Sequence, residues 1–487
     1  MSLSTKPIVL TIAANDSAGM AGISADLKTQ HALGVHSLSV ITATTAQNGQ
    51  NVESINPVDA AILSTQLEAV KPYAIDVVKI GMVCNVEQVK VIAQFLRDTG
   101  LPTVLDPVFA ASSGATFIAP SQVAIYADTL LPLCTLVTPN LDEAAKITGL
   151  SVTEPEQISL AAESLLLMGA DTVLIKGGHG TGLWAQDYFA SQQTQFWLSS
   201  QRRLSRFTRG TGCILASAIA SALALNYAIE DAIVIGKMTI NQGIQRGYST
   251  GIGDGAPCIN HFPDAIEHLP YLNYSPEVEE LPAFANCGNE PLGLYPIVDR
   301  AYWLTHLLPA GVTTIQLRIK DLTGAALEKE IGEAVEIANR FNARLFINDY
   351  WQLAIQHGAY GVHLGQEDLH LADLQAIQAA GLRLGLSTHC HYEVARAAQF
   401  NPSYLACGPV FPTNTKKMPW QPHGIDGLKY WRKVIDKPLV AIAGINQTNF
   451  KQVADTGVDG IAMITAITHA EDPVATTREY LALLGQE

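Results

Sequence analysis

The sequence predicts two α/β domains in one chain: an open, mostly parallel sheet covered by helices over residues 1–270, then a small (β/α)8 TIM barrel over 291–487. Three observations predict this. Short β-branched runs alternate with longer Ala/Leu segments through the first half. From Leu294 the alternation becomes regular, and eight strand-helix units follow one another to the end of the chain. Between the halves, residues 271–290 lose the alternation and gather Pro and Glu, as a linker does. Such a stretch spans several tens of ångströms when extended, so nothing in the sequence requires the halves to touch.

Composition narrows the classes. With 487 residues, 48% hydrophobic and 15% charged, the chain is enzyme-like and too long for a single core. No apolar run reaches the length of a membrane span, and the run at 8–14 is too short and too soon followed by Asn15 and Asp16 to be a signal peptide. Seven cysteines without a Cys-x-x-Cys pair argue against a disulfide framework or zinc cluster, so a reducing, cytoplasmic setting is expected. A net charge of −15 excludes the basic excess that nucleic acid requires. Neither a membrane nor a nucleic-acid partner is expected, and the sequence is compatible with a homo-oligomer.

In the first half, strands are expected over 8–13, 38–42, 77–80, 103–105, 136–138 and 173–176. Ligands of such sheets gather beyond the carboxyl ends of the strands. The most informative stretch is Thr-Arg-Gly-Thr-Gly-Cys-Ile at 208–214, which runs into a long Ala/Ser/Ile/Leu helix. Gly210 and Gly212 let free backbone N–H groups converge at the head of that helix, where its dipole also favours an anion. Cys213 lies in the same field, so a thiol that loses its proton easily is expected there, suited to act as thiolate or general base.

Several motifs at strand ends appear in a recognisable order: 21–28 (Ala-Gly-Ile-Ser-Ala-Asp-Leu-Lys), Ala46-Gln47-Asn48, Lys79-Ile80-Gly81-Met82, Leu105-Asp106-Pro107-Val108, 138–143 (Thr-Pro-Asn-x-x-Glu), Lys176-Gly177-Gly178-His179 and Gly-Thr-Gly-Cys. With these the first half resembles the hydroxymethylpyrimidine and phosphomethylpyrimidine kinases of the ribokinase superfamily. The resemblance implies a ribokinase-like α/β/α sandwich and two phosphoryl transfers from ATP, to a pyrimidine alcohol and then to its monophosphate. It implies that Asp106 and Glu143 face Mg²⁺ and that Asn140, Lys176 and Asp106 lie near the nucleotide phosphates. Gly210, Thr211 and Gly212 would form the anion hole, with Lys176 beside it. Cys213 would take the substrate hydroxyl proton, in the place where many sugar kinases of the superfamily carry Asp. Gln47 offers a donor and an acceptor to an aminopyrimidine edge, and Met82 and Val108 would pack on the ring. The sequence departs from the pattern at Ala14, Ala18 and Met20, where the first loop is usually richer in glycine, and at Arg209, where His is common.

In the second half, strands are expected over 294–298, 313–317, 345–347, 361–364, 383–386, 404–407, 439–442 and 460–463. Barrel chemistry belongs at the C-terminal strand ends. Those ends carry Arg318 and Lys320; Asn348 and Asp349; His363, Gln366 and Asp368; Ser387; Thr413, Thr415 and Lys416; Gly444 and Ile445; and Thr465. The stretches from Gln316 to Lys320, 362–368 (Val-His-Leu-Gly-Gln-Glu-Asp), 385–388, 408–416 and 443–445 resemble thiamine phosphate synthase. The resemblance implies coupling of hydroxymethylpyrimidine diphosphate to a thiazole phosphate with release of pyrophosphate. Asp349 and Asp368 would bind Mg²⁺, and Arg318, Lys320, Asn348, Ser387 and Lys416 would surround the diphosphate. Gln316 would read the pyrimidine, and Thr413, Thr415, Gly444, Ile464 and Thr465 would hold the thiazole phosphate. Ile319 stands where an acidic residue is frequent, and Thr465 where Ser is frequent.

Two other readings stay open at this level. One joins a pyridoxal-type kinase to a thiazole-tautomerase-like barrel, which the diphosphate-binding set of Arg318, Lys320, Asp349, Asp368 and Lys416 disfavours. The other is a vitamin-binding sensor with one degenerate half, and no missing ligand motivates it.

Overall fold

The computed structural model describes residues 5–110, 116–178, 180, 182–279, 281–413 and 419–485. Of the residues singled out above, His179, Thr415 and Lys416 lie outside the described set. The chain divides into two compact units, with the main break between Val278 and Glu279.

The first unit is built on one ten-stranded sheet. Its strands are β1 (Ile8–Asp16), β2 (His36–Gln47), β3 (Val52–Pro57), β4 (Val77–Ile80), β5 (Thr103–Leu105), β6 (Leu136–Val137), β7 (Thr172–Lys176), β8 (Trp184–Ser191), β9 (Gln195–Gln201) and β10 (Tyr271–Asn273). They are ordered β10-β9-β8-β7-β6-β5-β4-β1-β2-β3. The run from β2 through β1 and β4 to β7 is parallel. β3 and β8 to β10 are antiparallel additions at the two edges. The central strands read as near-continuous apolar runs because both faces are covered, and Leu10, Ile12, Val78, Ile80, Leu105 and Val137 are fully buried. The six parallel strands were legible in the sequence, whereas β3, with the polar sequence Val-Glu-Ser-Ile-Asn-Pro, and the antiparallel edge were not. The first two strands also run further than expected, to Asp16 and Gln47.

The second unit is a closed barrel of β11 (Gly293–Val298), β12 (Thr314–Leu317), β13 (Arg344–Asn348), β14 (Gly361–Leu364), β15 (Arg383–Thr388), β16 (Tyr404–Cys407), β17 (Leu439–Ile442) and β18 (Gly460–Met463). Every neighbouring pair is parallel, and β18 closes on β11. All eight strands fall where the sequence placed them, since each is a short apolar run bounded by polar strand-end residues.

The stretch expected to be a linker over 271–290 holds the break between the two units, and its residues on either side of that break pair with the unit they adjoin. Tyr271–Asn273 extends the first sheet by pairing with β9. Residues 281–291 lie along the strand-start side of the barrel, where side chains take up their carbonyls. Asn401 Nδ2 donates to Leu281 O at 2.8 Å, Ser403 Oγ to Ala285 O at 2.6 Å and an Arg344 Nη2 to Pro291 O at 2.6 Å. Phe284 and Cys287 are buried there. A Pro-rich segment has no regular partner for its carbonyls, so composition reads it as loop although arginine and amide donors satisfy it.

Candidate active sites at the two sets of strand ends

In the first unit, β5, β6 and β7 deliver Asp106, Thr138 and Lys176 to one place. Lys176 Nζ donates to Asp106 Oδ1 at 2.5 Å, and Thr138 Oγ1 donates to the same oxygen at 3.2 Å. Glu143 stands 4.0 Å from Lys176. It is fixed by a capping box, in which Glu143 N donates to Asn140 Oδ1 at 2.9 Å and Asn140 N donates to Glu143 Oε2 at 2.7 Å. The Asn140 side-chain oxygen therefore caps the helix Leu141–Thr148. Asp187 receives Gly177 N–H at 3.0 Å and is itself held by buried Lys237 at 2.7 Å, which anchors the chain just after Lys176.

The glycine loop meets this group. A Cβ on Gly212 would lie 3.4 Å from Lys176 Nζ and 3.5 Å from Asp106 Oδ2, so the head of the helix Thr211–Ala224 closes over the same two charges. Gly210 has φ +80°, and a Cβ there would stand 2.0 Å from Met20 O, which leaves glycine the only residue that fits. The facing loop is tied by Asp16, whose carboxylate accepts from the N–H groups of Ala18, Met20 and Ala21 at 2.7–3.0 Å. Burial pushes the Glu143 carboxyl up to about 7 against the pull of Lys176. Burial alone would lower the Lys176 ammonium, but Asp106 and Glu143 outweigh it and hold the group protonated.

Cys213 departs from expectation. Burial drives its thiol up to about 11, in spite of the neighbouring Lys79 ammonium and the Gly22 N–H that faces the sulfur. Desolvation of the thiolate outweighs the helix-terminus field that sequence reasoning weighed alone. A buried ion pair without a role in the motifs above lies beneath Cys213. Lys79 is fully buried against Asp26 at 2.8 Å, and Ser217 Oγ donates to Asp26 at 2.7 Å. A lysine inside the strand Val-Val-Lys-Ile was the signal for it. Lys79→Met, which strands a buried carboxylate, is expected to lower the stability of this unit by about 3–5 kcal/mol in chemical denaturation.

Met82 and Val108 share one apolar cluster with Ala14, Ala43 and Cys84, so the two residues expected to pack on a ring lie together. Gln47, at the end of β2, has its side-chain oxygen occupied by an Arg209 Nη2 at 3.0 Å.

In the barrel, the strand ends again converge. Lys320 donates to Asp349, and the Asp349 carboxylate lies within hydrogen-bond reach of Asp368. Burial, then repulsion from Asp349, raises the Asp368 carboxyl above the usual range. Gly365 N–H donates to Asp368 at 3.2 Å. Asp349 itself adopts φ 65°, a conformation that non-glycine residues rarely take. Asn348 is buried beside it. His363 is buried on β14, and its imidazole, pushed down to about 4 by burial, feels the charges of Asp349 and Arg318. Ser387 Oγ meets His363 Nε2 at 2.8 Å, and Gln316 is buried on β12. Gly444, with φ 71°, follows β17, and Ile464 and Thr465 follow the adjacent β18, so the expected phosphate loops are neighbours. Thr413 follows β16. The buried hydroxyls of Tyr295 and Tyr404 were not anticipated. Among the described residues, no group of three or more His, Cys, Asp or Glu side chains forms a metal-ligand cluster.

Comparison with known proteins agrees with this division. Residues 16–258 match the family model for phosphomethylpyrimidine kinase, and residues 294–467 match that for thiamine monophosphate synthase. The thiamine-phosphate synthase of Photorhabdus laumondii is 55% identical over 196 residues, which cover 40% of this chain and 90% of that protein. The chain belongs to the thiamine-phosphate synthases through its barrel and to the phosphomethylpyrimidine kinases through its first unit. The synthase half is the closed eight-stranded barrel, and the kinase half has the ribokinase-like α/β fold. Among solved structures, the kinase half is similar to the Bacillus subtilis pyridoxal kinase in its ADP complex, 28% identical with TM-score 0.50, covering 52% of this chain and 98% of that one. It is also similar to Staphylococcus aureus pyridoxal kinase in complex with pyridoxal, 27% identical with TM-score 0.51, covering 55% of this chain and 97% of that one. Among the described residues, no helix is long and apolar enough to cross a membrane.

Proposed function

We propose that the kinase half phosphorylates hydroxymethylpyrimidine and then its monophosphate with ATP, and that the synthase half joins the resulting diphosphate to thiazole phosphate. The convergence of Asp106, Lys176 and Gly212 carries the kinase assignment. Phosphoryl transfer requires positioning and neutralisation of charge more than covalent chemistry. Backbone N–H groups of Gly210, Thr211 and Gly212 face the transferred phosphoryl, with Lys176 beside them. Gln47, its oxygen held by Arg209, offers its amide N–H groups to the ring, and Met82 and Val108 form the apolar wall. Asp106 and Glu143 supply hard oxygen donors suited to Mg²⁺ with ATP, and Asn140 holds Glu143 in place.

Glu143 pairs function with a stability penalty. Its folded-state carboxyl titrates near 7, above the usual carboxylate range, so its contribution is favourable at low pH and is lost as pH rises through about 7. Glu143→Gln is therefore expected to unfold at higher denaturant at pH 8, by about 2 kcal/mol, with the gap closing towards pH 5. Kinase activity falls in the same variant.

For the synthase half, the paired carboxylates Asp349 and Asp368 support the reading. Their mutual repulsion is of the kind a divalent cation relieves, and oxygen donors of this type suit Mg²⁺. When bound, that ion neutralises diphosphate charge. Arg318, Lys320, Asn348, Ser387 and Lys416 hold the leaving group, Gln316 reads the pyrimidine, and the Gly444, Ile464 and Thr465 backbone with Thr413 and Thr415 holds the thiazole phosphate. The ring amino group pushes electron density towards the methylene as the diphosphate departs, so the site must stabilise the departing anion and exclude water. Purified chain given pyrimidine diphosphate, thiazole phosphate and Mg²⁺ without ATP should form thiamine phosphate and pyrophosphate. No product under these conditions would refute the synthase reading.

The likeness to pyridoxal kinases supports a second reading of the kinase half, with pyridoxal as the alcohol. Comparing kcat/KM for pyridoxal and hydroxymethylpyrimidine in the same preparation decides between them.

A further inference from the structure

Between the expected ligand contacts Gln316 and Ser387, the barrel interior holds a run of polar groups, Tyr295, Tyr404 and His363, to which no ligand contact has been given. Gln316 Nε2 lies 3.5 Å from Tyr295 Oη, Tyr295 Oη 2.8 Å from Tyr404 Oη, Tyr404 Oη 2.7 Å from His363 Nδ1, and His363 Nε2 2.8 Å from Ser387 Oγ. It crosses the barrel from β12 to β15 through side chains of five strands. Its packing is specific. A Cβ on Gly385 would stand 2.4 Å from Tyr404 Oη, so glycine on β15 lets the tyrosine of β16 reach His363. Phe346 meets the Tyr404 ring edge-on at 5.1 Å.

We propose that Tyr295 and Tyr404 are positioning residues of the synthase: acting through His363, their hydroxyls fix the Ser387 hydroxyl as a hydrogen-bond donor to the leaving diphosphate. This rests on the reading of the barrel given above. The number of protons fixes the direction of the run. Each phenol carries one proton, the buried imidazole carries one, and the Gln316 nitrogen only donates. Starting from that nitrogen, a single order satisfies every group. Gln316 donates to Tyr295, Tyr295 to Tyr404, Tyr404 to Nδ1, and the Nε2–H to Ser387 Oγ. The serine oxygen is then already an acceptor from within the barrel, and its own proton is directed to the ligand. Gln316 also lies within hydrogen-bond reach of Tyr404, which takes up its second N–H, so its side-chain oxygen is the group left for the amino group of the pyrimidine. In the opposite order Tyr295 faces two donors, and its own proton has no acceptor among the described residues. A buried polar group left in that state costs about 1–3 kcal/mol. Nδ1 would then carry the proton, and Nε2 would draw the Ser387 proton away from the ligand. Because charge on the diphosphate oxygens grows as the carbon–oxygen bond breaks, a donor so aimed acts more on kcat than on KM.

Nitrogen NMR of the full chain labelled with 15N-histidine, with His363 assigned through His363→Gln, reads the order directly. A protonated Nε2 and bare Nδ1 are expected, and a protonated Nδ1 overturns the proposal whatever the activity of the Tyr and Ser variants. In the synthase reaction with supplied pyrimidine diphosphate, Tyr404→Phe should lower kcat on the order of 10- to 100-fold with KM changed less than about threefold. Ser387→Ala should lose a similar factor, and the double variant should lose no more than either single one. Tyr295→Phe, which leaves Tyr404 its proton for Nδ1, should lose less than Tyr404→Phe. Additive losses, or a Tyr404→Phe enzyme as fast as the parent, would overturn the proposal. A parent chain that turns over no diphosphate would instead sink the reading of the barrel, while the nitrogen spectrum would still report the order of the run.

Discussion

Cys213→Ala is expected to lower kinase turnover on the order of 100-fold and to leave the synthase rate unchanged. The size follows from the thiol's place at the head of the helix Thr211–Ala224, where it would accept the substrate hydroxyl proton. The shape of the pH profile is the sharper test. With the thiol pushed up to about 11 by burial, the reactive thiolate is a small fraction at neutral pH and grows about tenfold per pH unit below that value. Kinase kcat in the parent should therefore climb as pH rises from 7 to 9, and the climb should be absent in Cys213→Ala. A parent profile flat over that range would mean that Cys213 only lines the anion hole. The separate expectation for the synthase rests on the two catalytic sets lying in two compact units.

Asp368→Ala is expected to do the reverse, lowering synthase turnover on the order of 100- to 1,000-fold with the kinase rate unchanged. Asp368 faces Asp349, which Lys320 partly neutralises, so removing one carboxylate halves the oxygen set available to a divalent cation. Its carboxyl lies above the usual range, so proton uptake competes with the cation as pH falls. Synthase activity at fixed Mg²⁺ should decline on the acid side, and higher Mg²⁺ should restore it. Asp368→Asn keeps an acceptor for the Gly365 N–H and separates loss of charge from loss of loop structure.

Where the sequence was informative, the reason is physical. The parallel strands of both units are apolar runs cut off by residues with strand-end chemistry, so Asp106, Lys176, Asn348, Asp349 and Ser387 could be placed before any coordinates. Gly210 was legible because a left-handed position whose Cβ would stand 2.0 Å from a carbonyl oxygen admits nothing larger. The antiparallel additions β3 and β8 to β10 were not: β3 and β10 are edges that need not be apolar on both faces, and β8 and β9 bury polar residues such as Asp187, Ser199 and Ser200. The partner that a buried polar group finds was also invisible. Lys79 with Asp26 of the helix Gly22–Ala32, and Tyr295 with Tyr404 across the barrel, acquire meaning only when elements distant in sequence set them face to face. The Cys213 thiol was misjudged for the same reason: the helix terminus is written in the sequence, but the depth at which it is buried is not.

The central claim is that one polypeptide both charges a pyrimidine alcohol and transfers it to a thiazole. Its most direct test is a single incubation of purified chain with hydroxymethylpyrimidine, thiazole phosphate and Mg-ATP, followed by mass analysis of the products. The account predicts thiamine phosphate, with two ATP consumed for each one formed, lost in Cys213→Ala and restored there by adding pyrimidine diphosphate. Thiamine phosphate that never forms, although both variants and parent are folded, would contradict it.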